Sequence, residues 1–213
     1  MTPATTIERL LIATKNAGKV AEFREILAAQ GHAGVIVDDL SSYPDAATVA
    51  EDGDTFLENA SLKATGYAQV ANSWALADDS GICVDALEGR PGIHSARWAE
   101  AHGFGSGDAD NSRLLRKQLL EVPEEQRTAH FACALALADP MGRIVLTSTG
   151  RLDGRVINAA RGRNGFGYDP IFWIDTMGRT AAQLDPAEKH AVSHRGQAML
   201  RMATLMREYG LLK

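Results

Sequence analysis

Sulfur is scarce in this chain: 213 residues hold two cysteines, Cys83 and Cys133. Neither sits in a C-x-x-C pair or at zinc-ligand spacing from a histidine, which argues against a zinc centre. Their apolar neighbours predict buried free thiols in a reducing cytosol. Concentrated positive charge is missing as well. The 22 Lys and Arg against 27 Asp and Glu give a net charge of -5, spread without a basic arm or run. A polymeric nucleic acid partner is not expected, because phosphate-backbone binding needs a cationic face, whereas a few local lysines suffice for a small anion. Also absent are a basic segment followed by an apolar one at residues 1–9 and any run of about 18 apolar residues. Neither export nor a membrane span is expected, and the location read from this is cytoplasmic. No repeat, low-complexity tract or linker interrupts the sequence. With 45% hydrophobic and 23% charged positions, the composition is that of a globular protein, read as a single domain over 1–213 long enough for two lobes around a cleft.

What is present reads as an α/β chain. A strand over 10–13, a loop over 14–18 and a helix over 19–30, with Val20, Phe23, Ile26 and Leu27 at helical spacing, are followed by Gly31 as a stop and a strand over 35–37. Thr55 and Glu58 have capping-box spacing ahead of a helix reaching about Ala71, with Phe56, Ala60, Ala64, Tyr67 and Ala71 as its apolar stripe. Asn59 and Lys63, four apart, share another strip of it. Strands over 74–77 and 82–84 flank an acidic turn. A helix over 111–122 closes at Pro123, and strands over 131–137 and 143–149 face each other across Pro140-Met141-Gly142. The last helix, 193–209, turns Met199, Met202, Ala203, Met206 and Tyr209 inward and stops at Gly210.

Chemistry points first to Asp78 and Asp79. Adjacent acids at the end of a buried strand repel each other and lose hydration, so they call for a cation or a proton-transfer role. Thr14-Lys15-Asn16-Ala17-Gly18-Lys19 approaches the phosphate loop G-x-x-x-x-G-K-[ST], but Ala13 stands at the first glycine and Val20 at the hydroxyl. Helix N–H groups, a flexible glycine and a lysine still make an anion site, and a plain capped turn fits equally well. Glu51 and Asp52 precede the second helix, and a hard divalent cation such as Mg²⁺ takes one or two such carboxylates; exposed loop acids are the alternative. In Gly165-Phe166-Gly167-Tyr168-Asp169-Pro170, Phe166 can stack on a planar ligand and Asp169 can accept from a base edge or sugar, unless the segment is only a turn with a core aromatic. Ser193-His194-Arg195-Gly196 presents donors at a helix start, suited to a carbonyl oxygen or phosphate or else simply a cap. Lys63 and Lys189 are surface lysines unless the fold aims them at an anion.

Taken in order, these segments resemble the inosine triphosphate pyrophosphatase family, the Ham1-like enzymes of non-canonical purine nucleoside triphosphates. Pro91-Gly92-Ile93-His94-Ser95-Ala96-Arg97 and Ser193-His194-Arg195-Gly196-Gln197-Ala198 belong to the matching text, which spans about residues 7–209. The resemblance implies an elongated mixed sheet flanked by helices, two lobes around a substrate cleft, and a homodimer. It implies hydrolysis of ITP, dITP or XTP to monophosphate and pyrophosphate. By position, residues 14–19 would bind triphosphate, and Glu51 and Asp79 would hold Mg²⁺. Asp79 would also direct water with Asp78 beside it, and Ser80, Phe166, Gly167, Tyr168, Asp169, Lys189, His194 and Arg195 would contact substrate. Lys63 and Asn59 match positions facing the phosphates. The loop over 101–110 departs from the family pattern in length and glycine content. Rival expectations are a phosphotransferase using 14–19 as a degenerate phosphate loop, disfavoured by Ala13 and Val20, and a nucleotide sensor without turnover.

Overall fold

The computed structural model describes residues 6–32 and 34–212. In chain order its regular elements are β1 (Arg9–Ile12), α1 (Ala17–Ala29), β2 (Ile36–Asp39), α2 (Phe56–Ala71), β3 (Trp74–Val84), α3 (Trp98–Ala101), α4 (Asp108–Gln118), β4 (Thr128–Ala138), β5 (Ile144–Val156), β6 (Phe172–Ile174), β7 (Arg179–Thr180), α5 (Pro186–Val192) and α6 (His194–Glu208). The strands form one mixed sheet in the order β2-β1-β3-β4-β5-β6-β7. β1 pairs in parallel with β2 and β3, and β6 pairs antiparallel with β5 and β7. Among the described residues no helix is long and apolar enough to cross a membrane.

The chain divides into two compact units. The first takes in the chain as far as Asp79, Cys133–Gly150 and the chain from Gly196 onward; the second is Ser80–Ala132 with Arg151–Arg195. In the first unit both faces of the sheet are covered, so residues 10–12 of β1 and 74–77 of β3 are continuous apolar runs whose successive side chains enter different cores. Leu10, Ile12 and Leu76 pack with Phe23 and Leu27 of α1 and Met199, Met202 and Met206 of α6. Leu11, Ala13, Ala75 and Ala77 pack with Ala60, Ala64 and Tyr67 of α2. Alanine on both sides of that second layer lets helix and sheet approach closely. The second unit has one main core, in which Ile82, Val84, Phe131 and Val156 meet Leu115 and Leu119 of α4 together with Phe172 and Leu184.

Several local expectations change. No turn interrupts residues 78–81: β3 runs through them for 11 residues. Gly81 is needed there because an added Cβ would lie 2.4 Å from Ser95 Oγ and 2.5 Å from Gly92 O. Asn16 caps α1, so Ala17 and Gly18 belong to its first turn and not to the loop. Gly107 starts α4 three residues earlier than expected, with Asp108 and Asp110 favouring the positive helix end. α5 is a separate helix, opened by a capping box between Asp185 and Glu188. Tyr209 lies beyond the end of α6 and is 60% exposed, not turned inward. Cys133 is buried, but Cys83 is only half-buried, because in β3 it alternates with the core residues Ile82 and Val84.

Candidate active site

The first unit sorts the adjacent aspartates by strand parity. Asp78 shares the parity of Leu76 and points to the α1 side, where Lys19 Nζ donates to its Oδ2 at 2.7 Å and Oδ1 at 3.0 Å. Asp79 shares the parity of Ala75 and Ala77 and points to the α2 side. There it accepts from Asn59 Nδ2 at 3.3 Å and Lys63 Nζ at 3.5 Å. Two neighbouring carboxylates therefore coexist in one strand because the sheet lies between their side chains and each has its own lysine.

Around Asp79 the groups are few and converge. Asn59, buried, accepts from Gly53 N at 2.9 Å through Oδ1, which commits its amide to Asp79. Lys63 also donates to Glu51 Oε2 at 2.8 Å, so one ammonium joins both acids. Burial pushes the Asp79 carboxyl above its ordinary value, a shift only partly offset by Lys63 and Asn59. Burial also works against the Lys63 charge, but Asp79 and Glu51 outweigh it and hold the lysine above its usual range. Asp52 is exposed.

These residues fit a hard cation. Among the described residues no three or more His, Cys, Asp or Glu are placed to hold a metal ion. Mg²⁺ needs only one or two protein carboxylates when phosphate oxygens and water complete its shell. Glu51 and Asp79 supply two oxygen donors that already meet at a common positive charge.

In the segment 14–19, Asn16 Oδ1 accepts from Gly18 N at 2.9 Å and Lys19 N at 3.3 Å, and Asn16 N donates to Thr14 Oγ1 at 3.1 Å. The helix start is thus self-capped, with Lys15 exposed beside it. The Asn16 carbonyl thus occupies the helix N–H groups and Asp78 occupies the Lys19 ammonium.

In the second unit, Ser80 is half-buried at the continuation of β3. Asp169 Oδ2 accepts from Phe166 N at 2.8 Å and from Lys189 Nζ at 2.5 Å. The Phe166 ring is 52% exposed and has Lys189 Nζ 5.1 Å and the Arg195 guanidinium 5.4 Å from its centroid. Phe166, Asp169, Lys189 and Arg195 are therefore one cluster. Buried His194 stacks on Phe131 at 4.8 Å and 15°. Tyr168 is not part of that exposed surface: it is buried and donates to Ser95 O at 2.8 Å, and burial followed by Asp108 drives its phenol pKa far upward. Gly167 is held by α4, through Asp108 Oδ2 at 2.8 Å and Ser112 Oγ at 2.9 Å. The only trace of that pair in the sequence is the spacing of two polar residues four apart.

The model of the Ham1 family matches residues 10–205. A dITP/XTP pyrophosphatase of Geobacillus kaustophilus is 48% identical over 196 residues, 92% of this chain and 93% of that protein. One of Streptomyces avermitilis is 48% identical over 202 residues, 94% of this chain and 98% of the relative. Among solved structures, a HAM1 protein from Coxiella burnetii superposes with a TM-score of 0.85 at 36% identity, covering 95% of this chain and 100% of its own.

Proposed function

Because the chain belongs to the Ham1 family, we propose that it hydrolyses the non-canonical purine nucleotides ITP, dITP and XTP to the monophosphate and pyrophosphate, with Mg²⁺ as cofactor. The observation that carries this reading is the convergence of Asp79, Glu51, Asn59 and Lys63 on one point on the α2 side of β3.

In this mechanism the Asp79 carboxylate orients the attacking water and takes its proton. Asn59 fixes its rotamer. Glu51 and Asp79 would hold Mg²⁺, which supplies neutralisation of phosphate charge when bound. Lys63 and Lys19 add fixed positive charge for the triphosphate, and residues 14–18 offer helix N–H groups to it. Asp78, on the other side of the strand, acts through Lys19 by holding the ammonium in place while no phosphate is present.

Phe166 stacks on the purine, and Asp169 and Lys189 accept and donate at its edge or sugar. Donors at the start of α6, His194 and Arg195, suit a 6-oxo acceptor, whereas adenine presents a donor there, so that donor would face donor. The same reading makes the protein a cytoplasmic homodimer that clears free nucleotides.

Pyrophosphate release from ITP, dITP, XTP, GTP and ATP, with and without Mg²⁺ and with monophosphate resolved from diphosphate, tests the proposal. Mg²⁺-dependent pyrophosphate from ITP, dITP and XTP only is the expected result. Equal turnover of ATP or release of orthophosphate overturns it, transfer to an acceptor favours a phosphotransferase, and binding without turnover favours a sensor. Sedimentation equilibrium reads the dimer independently.

A further inference from the structure

One helix grips both backbone polar groups of Gly167, the residue beside Phe166. Asp108 Oδ2 accepts from its N–H at 2.8 Å, and Ser112 Oγ donates to its carbonyl oxygen at 2.9 Å. The two side chains are four residues apart on α4 and so lie on one face of it. A backbone unit bound at its donor and at its acceptor is fixed in position and in rotation. The segment needs this. Gly165 and Gly167 both have positive φ, 75° and 63°, where the chain has no side chain to lock it. Phe166 between them is half-exposed; its N–H donates to Asp169 Oδ2, and its ring has the Lys189 ammonium and the Arg195 guanidinium near its face, at 5.1 and 5.4 Å from the centroid. By contrast α4 is anchored, with Leu114 and Leu115 buried. It also follows the glycine-rich stretch 103–107, so the unusual loop ends at the helix turn that grips the aromatic segment.

We infer that Asp108 and Ser112 are positioning residues for base recognition: without touching nucleotide, they hold Phe166 where it stacks, and so set the affinity for the purine. This rests on the base-stacking role proposed for Phe166. The consequence is a split between the two ends of the substrate. Ser112→Ala and Asp108→Ala each raise KM for ITP by about five- to tenfold, the worth of one average hydrogen bond. They leave kcat within about twofold, and they leave inhibition by inorganic tripolyphosphate, which has no base, unchanged. Ser112→Thr and Asp108→Asn, which keep the donor and the acceptor, restore the wild-type KM. Alanine is the strongest helix former and Asp108 is exposed, so α4 survives both substitutions.

The inference is overturned if both alanine variants keep the wild-type KM, if ITP and tripolyphosphate weaken together, or if the Thr and Asn variants fail to restore affinity. Wild-type protein and Phe166→Ala run alongside keep the two layers apart. No pyrophosphate from ITP by the wild type removes the proposed function itself. Turnover with a Phe166→Ala effect but silent α4 variants removes only the positioning role.

Discussion

Neutralising Asp78 or Asp79 one at a time makes a sharp test, because the two differ by one position yet face different partners. Asp78→Asn leaves the Lys19 ammonium against a neutral amide. The side chains of that pair are 20% and 7% exposed, and breaking a buried pair from one side costs about 3–5 kcal/mol. Lys19 keeps some water, so the lower end, about 3 kcal/mol, applies; at roughly 2–4 °C per kcal/mol for a chain of this size, Tm falls by about 6–12 °C. Asp79→Asn should behave in the opposite manner. Burial already disfavours the ionised Asp79, and Lys63 keeps Glu51 at 2.8 Å, so Tm stays within about 2 °C. Turnover of ITP, however, drops by about 10²–10⁴-fold with the loss of the base. Circular dichroism melts of metal-free protein and pyrophosphate release at a temperature where both variants are folded give the two readings. A D79N protein that melts below D78N, or a folded D78N protein as inactive as D79N, would refute the division of labour between the faces of β3.

Phe166→Ala should raise KM for ITP by about tenfold or more, the lower range for loss of base stacking, with kcat changed far less; an unchanged KM would count against stacking. Gly81→Ala should cost about 1–3 kcal/mol through overpacking, since its Cβ would meet Gly92 O at 2.5 Å as well as Ser95 Oγ, and a wild-type urea midpoint would show that the strand can yield. Asp139 predicts a pH effect. Burial pushes its carboxyl up, but hydrogen bonds and charge from Arg143 outweigh this and hold it below the usual 3.8. Its contribution to stability is therefore complete above 3.8 and lost as pH falls through the lower folded value. Wild type should exceed Asp139→Asn in stability at neutral pH and converge with it on acidification, and a gap independent of pH would contradict the assignment.

Elements whose cause is local were legible in the sequence. Thr55 and Glu58 form the capping box that opens α2, Gly31 follows α1 with positive φ, and the apolar runs of β1 and β4 lie in a sheet covered on both faces. The misreading at 78–81 has an instructive origin. Asp, Asp, Ser and Gly are turn formers by composition, and nothing nearby in sequence shows that Gly81 is small because Ser95 and Gly92 press against it. Period-two alternation through the acids would have placed Asp78 and Asp79 on opposite faces. α5 was missed because a seven-residue helix carries little periodicity, although Asp185-Pro186 with Glu188 is a start signal. Lys63 was legible as a site residue only through resemblance, and its bonds to Glu51 and Asp79 reach 12 and 16 residues along the chain. The grip of α4 on Gly167 reaches 59 and 55 residues, beyond any local pattern.

The groups assigned to the triphosphate all lie before Ser80, yet the core behind them closes with residues made more than a hundred codons later. Phe23, Leu27, Leu10 and Ile12 share their cluster with Met199, Met202, Met206, Leu211 and Leu212, and Ile7 N donates to Leu211 O at 2.7 Å. During synthesis, the nascent amino-terminal segment emerges from the ribosome with its sheet face bare and must wait for about 120 further codons before α6 arrives to cover it. The strand that carries Asp78 and Asp79 is thus covered only once α6 has been made, and a message truncated before α6 yields a polypeptide that carries all the groups assigned to the triphosphate but not the core behind them.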